Sequence, residues 1–187
     1  MRNLRVYVET TVWSFALADD SPQFTAETVS FFERAARTGM ELVIGPVVLE
    51  EVGRAGQPKR DRLVELISRV SPGVLSASEE AVTLGEAFVQ HGAVPPSKPD
   101  DATHVAYAFV SECDALVSWN FKHITNIRRS ERFNAIALLC GYRKHLSVVT
   151  PSEVRAIALA LPERPPLCTV EKVTVTLKRL SPLVRSM

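Results

Sequence analysis

The sequence predicts an α/β fold, a three-layer α/β/α sandwich around a mostly parallel central sheet. Two observations predict it. Short aliphatic runs alternate along the chain with longer segments whose apolar residues recur at helical spacing. The short runs are apolar at successive positions, which is typical of strands that helices cover on both faces. Strands separated by helices in this way form parallel sheets with right-handed crossovers.

Each element has local support in the sequence. The predicted order is a strand at 6–8, a helix from about 25 to 38, a strand at 42–45, a helix at 46–54, helices starting at 58 and 79, a helix at 101–111, a strand at 115–118, a helix at about 128–140, a strand at 146–149 and a last helix from 151. Gly39 and Gly92 stand where a glycine ends a helix. Pro46 can occupy a first helical position, and Ser78 is a typical N-cap residue.

Length and composition fit a globular domain of average character. The chain has 187 residues, of which 46% are hydrophobic and 23% are charged. No apolar run approaches the roughly 18–20 residues that cross a bilayer, and the N-terminus has no signal-peptide pattern. The three cysteines are dispersed and form neither a disulfide framework nor a zinc motif. We therefore expect a cytoplasmic protein without a membrane segment.

The end of the chain differs from the rest. Residues 162–187 hold four of the twelve prolines, with five basic residues against two acidic ones. This change predicts a domain at 1–161 and a Pro-rich basic extension at 162–187. Valine and leucine alternate with polar residues within 170–180, so this part could form a strand. It could pack on the edge of the domain or bind a partner.

Acids and an amide lie where the predicted strands end or the following helices begin. They are Glu9, Glu50, Glu51, Asp100, Asp101 and Asn120. Ligands bind at the carboxyl ends of parallel strands, so these side chains could converge at one mouth. Crowded carboxylates are costly unless a cation neutralises them, and sites made of oxygen ligands suit Mg²⁺ or Mn²⁺. Such a metal can activate water for cleavage of a phosphodiester.

The same acids also have structural explanations. Asp100 or Asp101 could cap a helix, and one of Glu50 and Glu51 could lie on a solvated helix face. Glu9 is harder to explain structurally, because a glutamate at the end of a buried strand has few partners available. Convergence of several such positions is more informative than any one of them.

Four blocks of sequence, in order, resemble the PIN-domain family. They are VYVETTV at 6–12, IGPVVLEEV at 44–52, PDDATHVA at 99–106 and LVSWNFKH at 116–123, followed by a closing strand and TPSE at 150–153. The resemblance covers residues 5 to about 158. It implies a parallel α/β/α sandwich and a ribonuclease that depends on Mg²⁺ or Mn²⁺, as in the VapC-like toxins of toxin–antitoxin pairs.

Carried over to this chain, the resemblance implies site residues. The catalytic set would be Glu9, Glu51, Asp101 and Asn120, of which the three acids would bind the metal. The supporting positions would be Thr11, Asp100, Ser118 and His123. Two positions depart from the family pattern, because Glu9 replaces the usual aspartate and His123 stands where many members have a further aspartate. The departures imply weaker metal binding, a shift toward Mn²⁺, or a PIN fold without activity that binds RNA or a protein partner.

A basic stretch follows the predicted site. Residues 122–145 contain six lysines and arginines against one acid. The candidate RNA-binding residues are Lys122, Arg128, Arg129 and Arg132. A basic helix face is often only solvated, but its position beside the site favours RNA contact, with an affinity that falls as salt rises. Trp119 could stack on a base, although packing is the commoner role of a tryptophan at a strand end.

The histidines do not form a zinc pattern. His104 lies one turn after Asp101, and we expect it to pack in the core, with support of the site as the alternative. Taken together, the sequence predicts a metal-dependent endoribonuclease, the toxin of a type II toxin–antitoxin pair, with RNA as substrate and an antitoxin partner. The resemblance alone implies a homodimer. A different phosphohydrolase would instead cleave small phosphomonoesters.

Overall fold

The computed structural model describes residues 3–154. The predicted boundary near residue 161, most of the predicted last helix and the extension at 162–187 lie outside these residues. Five strands are described: β1 (Arg5–Val8), β2 (Glu41–Ile44), β3 (Gly73–Val74), β4 (Ala115–Val117) and β5 (Ser147–Val149). The helices described are α1 (Thr10–Phe15), α2 (Pro22–Thr38), α3 (Pro46–Arg54), α4 (Lys59–Val70), α5 (Glu79–Gln90), α6 (Pro99–Val110) and α7 (Ile127–Leu139).

The strands form one sheet in the order β3-β2-β1-β4-β5, and every adjacent pair is parallel. The predicted α/β fold with a parallel sheet is therefore confirmed. The order reverses between β1 and β4, which is the switch point where such sheets bind ligands. Val8 of β1 pairs with Val117 of β4, so the residues after these strands leave the sheet side by side.

The sheet is buried on both faces. Val6, Tyr7 and Val8 are each 0% exposed, although successive side chains of a strand point to opposite faces. Helices must therefore cover both sides of β1, as the three-layer prediction requires. No helix among residues 3–154 has both the length and the apolar character to span a bilayer.

Most predicted helix boundaries are confirmed. Gly39 ends α2 in the left-handed conformation, with φ of 67°. The Ser78 hydroxyl accepts a hydrogen bond from the Ala81 N–H at 3.2 Å and so caps α5. Pro46 occupies the first turn of α3. These signals act within one or two turns, which is why the sequence alone reveals them.

Two short elements were not predicted. Helix α1 begins immediately after β1, and its first residues are threonines, which are weak helix formers. It forms because the Glu9 side chain caps it and because Val12 and Trp13 are buried. Strand β3 has two residues and exists through its pairing with β2. Both depend on tertiary contacts that local sequence does not reveal.

Gly45 tests the packing beneath the predicted site. A Cβ atom at this position would lie 2.7 Å from the Tyr7 Oη and 3.1 Å from the Tyr107 Cγ. We expect Gly45→Ala to lower the free energy of unfolding in urea by about 1–3 kcal/mol, because neither ring can move aside without disturbing the core. Gly53→Ala is the matched control in α3, where nothing lies within 4 Å, and it should be neutral or stabilising. Equal stability of the two variants would contradict this packing.

Candidate active site

Glu9 lies directly after β1 and is buried, with 3% of its surface exposed. Its Oε2 accepts hydrogen bonds from the Thr11 N–H at 3.1 Å and from the Ser118 hydroxyl at 2.8 Å, and also from the Thr11 hydroxyl. The first turn of α1 and the end of β4 therefore supply the partners that the sequence alone does not reveal. Thr11 and Ser118, both predicted as supporting residues, contact this carboxylate.

Glu51 reaches the same place from α3. Its Oε2 accepts hydrogen bonds from the His104 Nε2 at 2.9 Å and from the Thr10 hydroxyl. Glu50 points to solvent instead and lies 3.5 Å from Arg54. The interpretation that one member of the tandem pair occupies a solvated face is therefore correct, and Glu51 is the member that faces Glu9.

His104 occupies the centre of the site. It is 0% exposed, and its Nε2 lies 2.9 Å from the Glu51 Oε2 and 3.9 Å from the Glu9 Oε1. Its Nδ1 lies 3.0 Å from the Tyr7 Oη, which also accepts a hydrogen bond from the Gly45 N–H at 3.3 Å. The sequence placed His104 near Asp101 through helical spacing, but only the fold shows that it lies between two acids.

Asp101 and Asn120 form an adjoining group. The Asn120 Nδ2 donates to the Asp101 Oδ1 at 3.1 Å, and the Asn120 Oδ1 accepts from the His123 N–H at 3.0 Å. Two buried atoms in this group, the Asp101 Oδ2 and the His123 Nδ1, have no hydrogen-bond partner within the described part of the chain. Buried polar atoms are normally paired. These two unpaired atoms are therefore candidates for contact with a ligand.

Asp100 has a different environment from Asp101. Its carboxylate accepts a hydrogen bond from the Arg54 guanidinium at 2.8 Å, so it links the start of α6 to the end of α3. The structure thus gives Asp100 a contact between helices at the surface. Its predicted supporting role in the site stays a prediction.

The donor set fits a divalent cation. Glu9, Glu51 and His104 each offer one atom, and these atoms lie within 4.8 Å of one another. Two ligands bonded to one Mg²⁺ at about 2.1 Å lie at most about 4.2 Å apart, so an adjustment of less than about 1 Å brings all three into range. Asp101, the third metal ligand predicted from the sequence, is outside this group, although its unpaired oxygen lies in the adjoining one.

The predicted RNA-binding residues differ in exposure. Lys122, Arg128 and Arg132 are exposed, whereas Arg129 is half-buried. The Arg129 guanidinium donates to the backbone carbonyl of Ala93. Arg129 therefore has a structural contact, and the other three side chains are accessible to a ligand.

The aromatic residue that faces solvent is Phe121 rather than Trp119. Trp119 is buried, and its Nε1 donates to the Thr28 hydroxyl at 2.8 Å. Phe121 is 50% exposed and rests against Trp119 and Phe24, with ring centroids 5.8 and 6.3 Å away. The packing interpretation of Trp119 fits this geometry, and the accessible ring lies two residues further along the chain.

Comparison with known proteins identifies a shared fold. No protein-family profile matches the chain, and neither does any curated protein. A solved structure with a similar fold is a chain of VapBC2 from Rickettsia felis, bound to a DNA fragment from their promoter. The match covers 79% of this chain and 98% of that chain, with a TM-score of 0.53 and 16% identity. At this identity the likeness shows the fold alone.

The site concentrates negative charge on Glu51. Burial raises the pKa of Glu9, and His104 and the neighbouring hydroxyls offset this only in part. Burial also opposes ionisation of Glu51, but the hydrogen bond and charge of His104 outweigh it and lower the pKa. Burial disfavours the charged form of His104, yet Glu51 and Glu9 raise its pKa overall. The His104 imidazole therefore compensates part of the negative charge of the two carboxylates.

The adjoining group is also perturbed by burial. Burial raises the pKa of Asp101, and His123 and Asn120 offset this in part. Burial likewise lowers the pKa of His123, in spite of the nearby Asp101. Burial thus opposes the charged form of both groups, and a cation bound nearby would favour the ionised form of Asp101.

The hydroxyl of Ser118 provides a test of how Glu9 is held. Its hydrogen bond lowers the pKa of Glu9, although burial keeps that pKa raised overall. A raised carboxyl pKa means that folding favours neutral Glu9, so this contribution is present at low pH and is lost as the pH rises through the folded pKa. We expect Ser118→Ala, measured by urea unfolding in EDTA, to cost about 1–3 kcal/mol at neutral pH and less near about pH 4.

The matched control is Ser111→Ala at the end of α6, away from Glu9. Its effect on the free energy of unfolding should be small and should not change with pH. A Ser118→Ala penalty that is independent of pH would contradict the role of this hydroxyl in holding ionised Glu9.

Proposed function

We propose that the chain is a metal-dependent endoribonuclease, the toxin of a type II toxin–antitoxin pair. The observation that carries the proposal is the meeting of Glu9 and Glu51 with His104 at the switch point of a parallel sheet. Carboxylates placed together in this way suit a divalent cation. The four PIN-like sequence blocks supply the expectation that the substrate is RNA.

The proposed mechanism assigns a task to each residue of the site. Glu9 and Glu51 would hold Mg²⁺ or Mn²⁺, with Asp101 contributing through its unpaired oxygen. A bound ion of this kind supplies a Lewis acid for the phosphate and makes water more nucleophilic at neutral pH. Asn120 orients Asp101 through its amide, and His123 offers an unpaired Nδ1 that can orient water or substrate.

Two hydroxyls and a backbone amide keep the first carboxylate in place. Thr11 and Ser118 donate hydrogen bonds to the Oε2 of Glu9, and these bonds hold the side chain in one rotamer at the switch point. A fixed carboxylate improves catalysis because the geometry is already set before substrate arrives. This is why both hydroxyls belong to the proposed active site.

The surface beside the site supports RNA as the substrate. Lys122 and Arg128 are exposed cations that flank the loop carrying His123, and Arg132 follows one turn later on α7. Phe121 presents a half-exposed ring in the same loop. Cations for phosphates and an aromatic face for a base are the usual components of a single-strand binding surface.

Partners and location are part of the same proposal. The fold neighbour is a chain of the VapBC2 complex, and VapC-like toxins belong to the family that the sequence blocks resemble. This supports an antitoxin as the protein partner of the chain. A homodimer and a cytoplasmic location are further expectations that a measured mass and cell fractionation can test.

A binding module without catalysis is the second candidate. The hydrogen bond between Glu51 and His104 favours it, because the imidazole can neutralise the acidic pair without a metal. Titration with Mn²⁺ separates the two functions. Heat of binding, a rise in melting temperature and cleavage of RNA support the nuclease, whereas the absence of all three supports the module.

The tandem glutamates offer a matched pair of variants. We expect Glu51→Gln to reduce metal-dependent cleavage of an RNA oligonucleotide by at least roughly 100-fold, because it removes a charge that would hold the ion. Glu50→Gln changes the neighbouring side chain, which is exposed, and should leave cleavage within about twofold. Asp101→Asn should abolish cleavage as well.

Each variant should first be compared with the wild type by circular dichroism and by its melting temperature, so that loss of fold is not mistaken for loss of function. Cleavage retained by pure, folded Asp101→Asn would overturn its assignment to the site. An equal loss of RNA cleavage in Glu50→Gln and Glu51→Gln would contradict the assignment of Glu51, and not Glu50, to the site.

The basic surface makes a separate prediction about salt. Replacing Lys122 and Arg128 by alanine should weaken binding of single-stranded RNA and reduce the slope of log K against log salt by about 0.7 for each phosphate that the protein no longer neutralises. The assay is fluorescence anisotropy with the Asp101→Asn background, which prevents cleavage. Arg69→Ala, on the exposed end of α4, is the control. An unchanged salt slope in the double variant would contradict RNA binding at this surface.

A further inference from the structure

We propose that His104 is itself a ligand of the divalent cation, through Nε2, so that the ion is held by two glutamates and an imidazole. This inference rests on the proposed function, because it concerns the same ion. It assigns to the site a nitrogen donor and a preference for Mn²⁺ over Mg²⁺. The nitrogen donor does not follow from the sequence, in which His104 is expected to pack; it gives a physical reason for the shift toward Mn²⁺ that the sequence resemblance implies.

The position of the imidazole supports this assignment. Its Nε2 lies 2.9 Å from the Glu51 Oε2 and 3.9 Å from the Glu9 Oε1, and it belongs to the group of three donor atoms within 4.8 Å of one another. The ring is 0% exposed and packs edge-on against Tyr7, with centroids 5.9 Å apart. The ring is enclosed in the core, and its Nε2 faces both glutamates at the place where the ion would bind.

The far side of the ring has the arrangement that metal-binding histidines require. Such a histidine donates its second ring N–H to an oxygen, which sets the tautomer and the ring orientation. Here the Nδ1 lies 3.0 Å from the Tyr7 Oη. The Oη is itself fixed by the Gly45 N–H at 3.3 Å, and a phenol oxygen can accept two hydrogen bonds.

The position of His104 between Glu51 and Tyr7 is compatible with both the ion-free and the ion-bound site. Without one, Nε2 carries a proton and donates it to Glu51. With one, Nε2 presents its lone pair to the cation and the ring proton lies on Nδ1, where it is donated to the Tyr7 Oη. The cation therefore takes the place of the Nε2 proton, which is released to solvent, and the ring keeps the proton on Nδ1.

A nitrogen ligand changes which ion is preferred. Mg²⁺ is a hard cation that takes oxygen ligands and loses its water reluctantly. Imidazole suits the first-row transition metals, and affinity for mixed sites rises along that series from Mn²⁺. Two carboxylates with one imidazole should therefore bind Mn²⁺ more tightly than Mg²⁺.

The test is pulsed electron paramagnetic resonance of Mn²⁺ bound to the full chain after treatment with EDTA. We expect nitrogen coupling to the Mn²⁺ signal that changes when histidine is labelled with ¹⁵N. The coupling should disappear in His104→Gln, whose amide oxygen reaches about as far as the Nε2 that it replaces. Calorimetry should show the preference for Mn²⁺ over Mg²⁺ falling by about 10-fold or more in the same variant.

Two further variants identify the source of the coupling. His123→Asn removes the other nearby imidazole and should retain the coupling; its loss there would overturn the assignment to His104. Tyr7→Phe keeps His104 but removes the hydroxyl that orients it. It should retain the coupling and weaken Mn²⁺ binding by roughly 10–100-fold, which keeps the proposal testable even where His104→Gln does not fold.

The remaining outcomes separate this inference from the proposed function. Mn²⁺ that binds without nitrogen coupling would overturn the role of His104 and leave the metal-dependent nuclease standing. Absence of binding by both ions to folded wild-type chain would overturn the metal-dependent function and this inference with it.

Discussion

Two carboxylates, Glu9 and Glu51, lie together at the carboxyl ends of the buried parallel strands, and the surrounding structure must compensate their charge. A buried charge without partners costs several kcal/mol, which is a large part of the stability of a domain of this size. The compensation comes from separate elements: the start of α1, the end of β4 and the middle of α6. Each element can contribute only if the strands and helices have the observed order.

The parallel sheet is what brings these elements together. β1 and β4 are neighbours although they are distant in sequence, so Glu9 and Ser118 emerge from adjacent strands. α3 follows β2 on the other side of β1 and carries Glu51 toward the same edge. The short helix α1 begins immediately after β1 and directs the Thr11 N–H to the Glu9 carboxylate, where a negative charge is favourable.

Local patterns in the sequence were enough to predict the strands β1, β2, β4 and β5 and most of the helices, because caps and apolar spacing act over a few residues. They also placed six polar residues near the strand ends, and the PIN-like sequence blocks then singled out Glu9, Glu51, Asp101 and Asn120. They could not show the role of His104, since helical spacing says which residues share a face and not what that face contacts. The exposed ring of Phe121 was missed for a similar reason: exposure depends on how α2 packs beside it.

The tandem acids of α3 and α6 divide between the site and the surface. Adjacent residues of a helix point about 100° apart, so one acid of each pair faces inward and the other faces solvent. Arg54 contacts both outward acids, Glu50 and Asp100. The two helices that carry Glu51 and His104 are thus also linked from the outside. A substitution of this one exposed residue therefore removes the ion pair within α3 and the ion pair between α3 and α6 together.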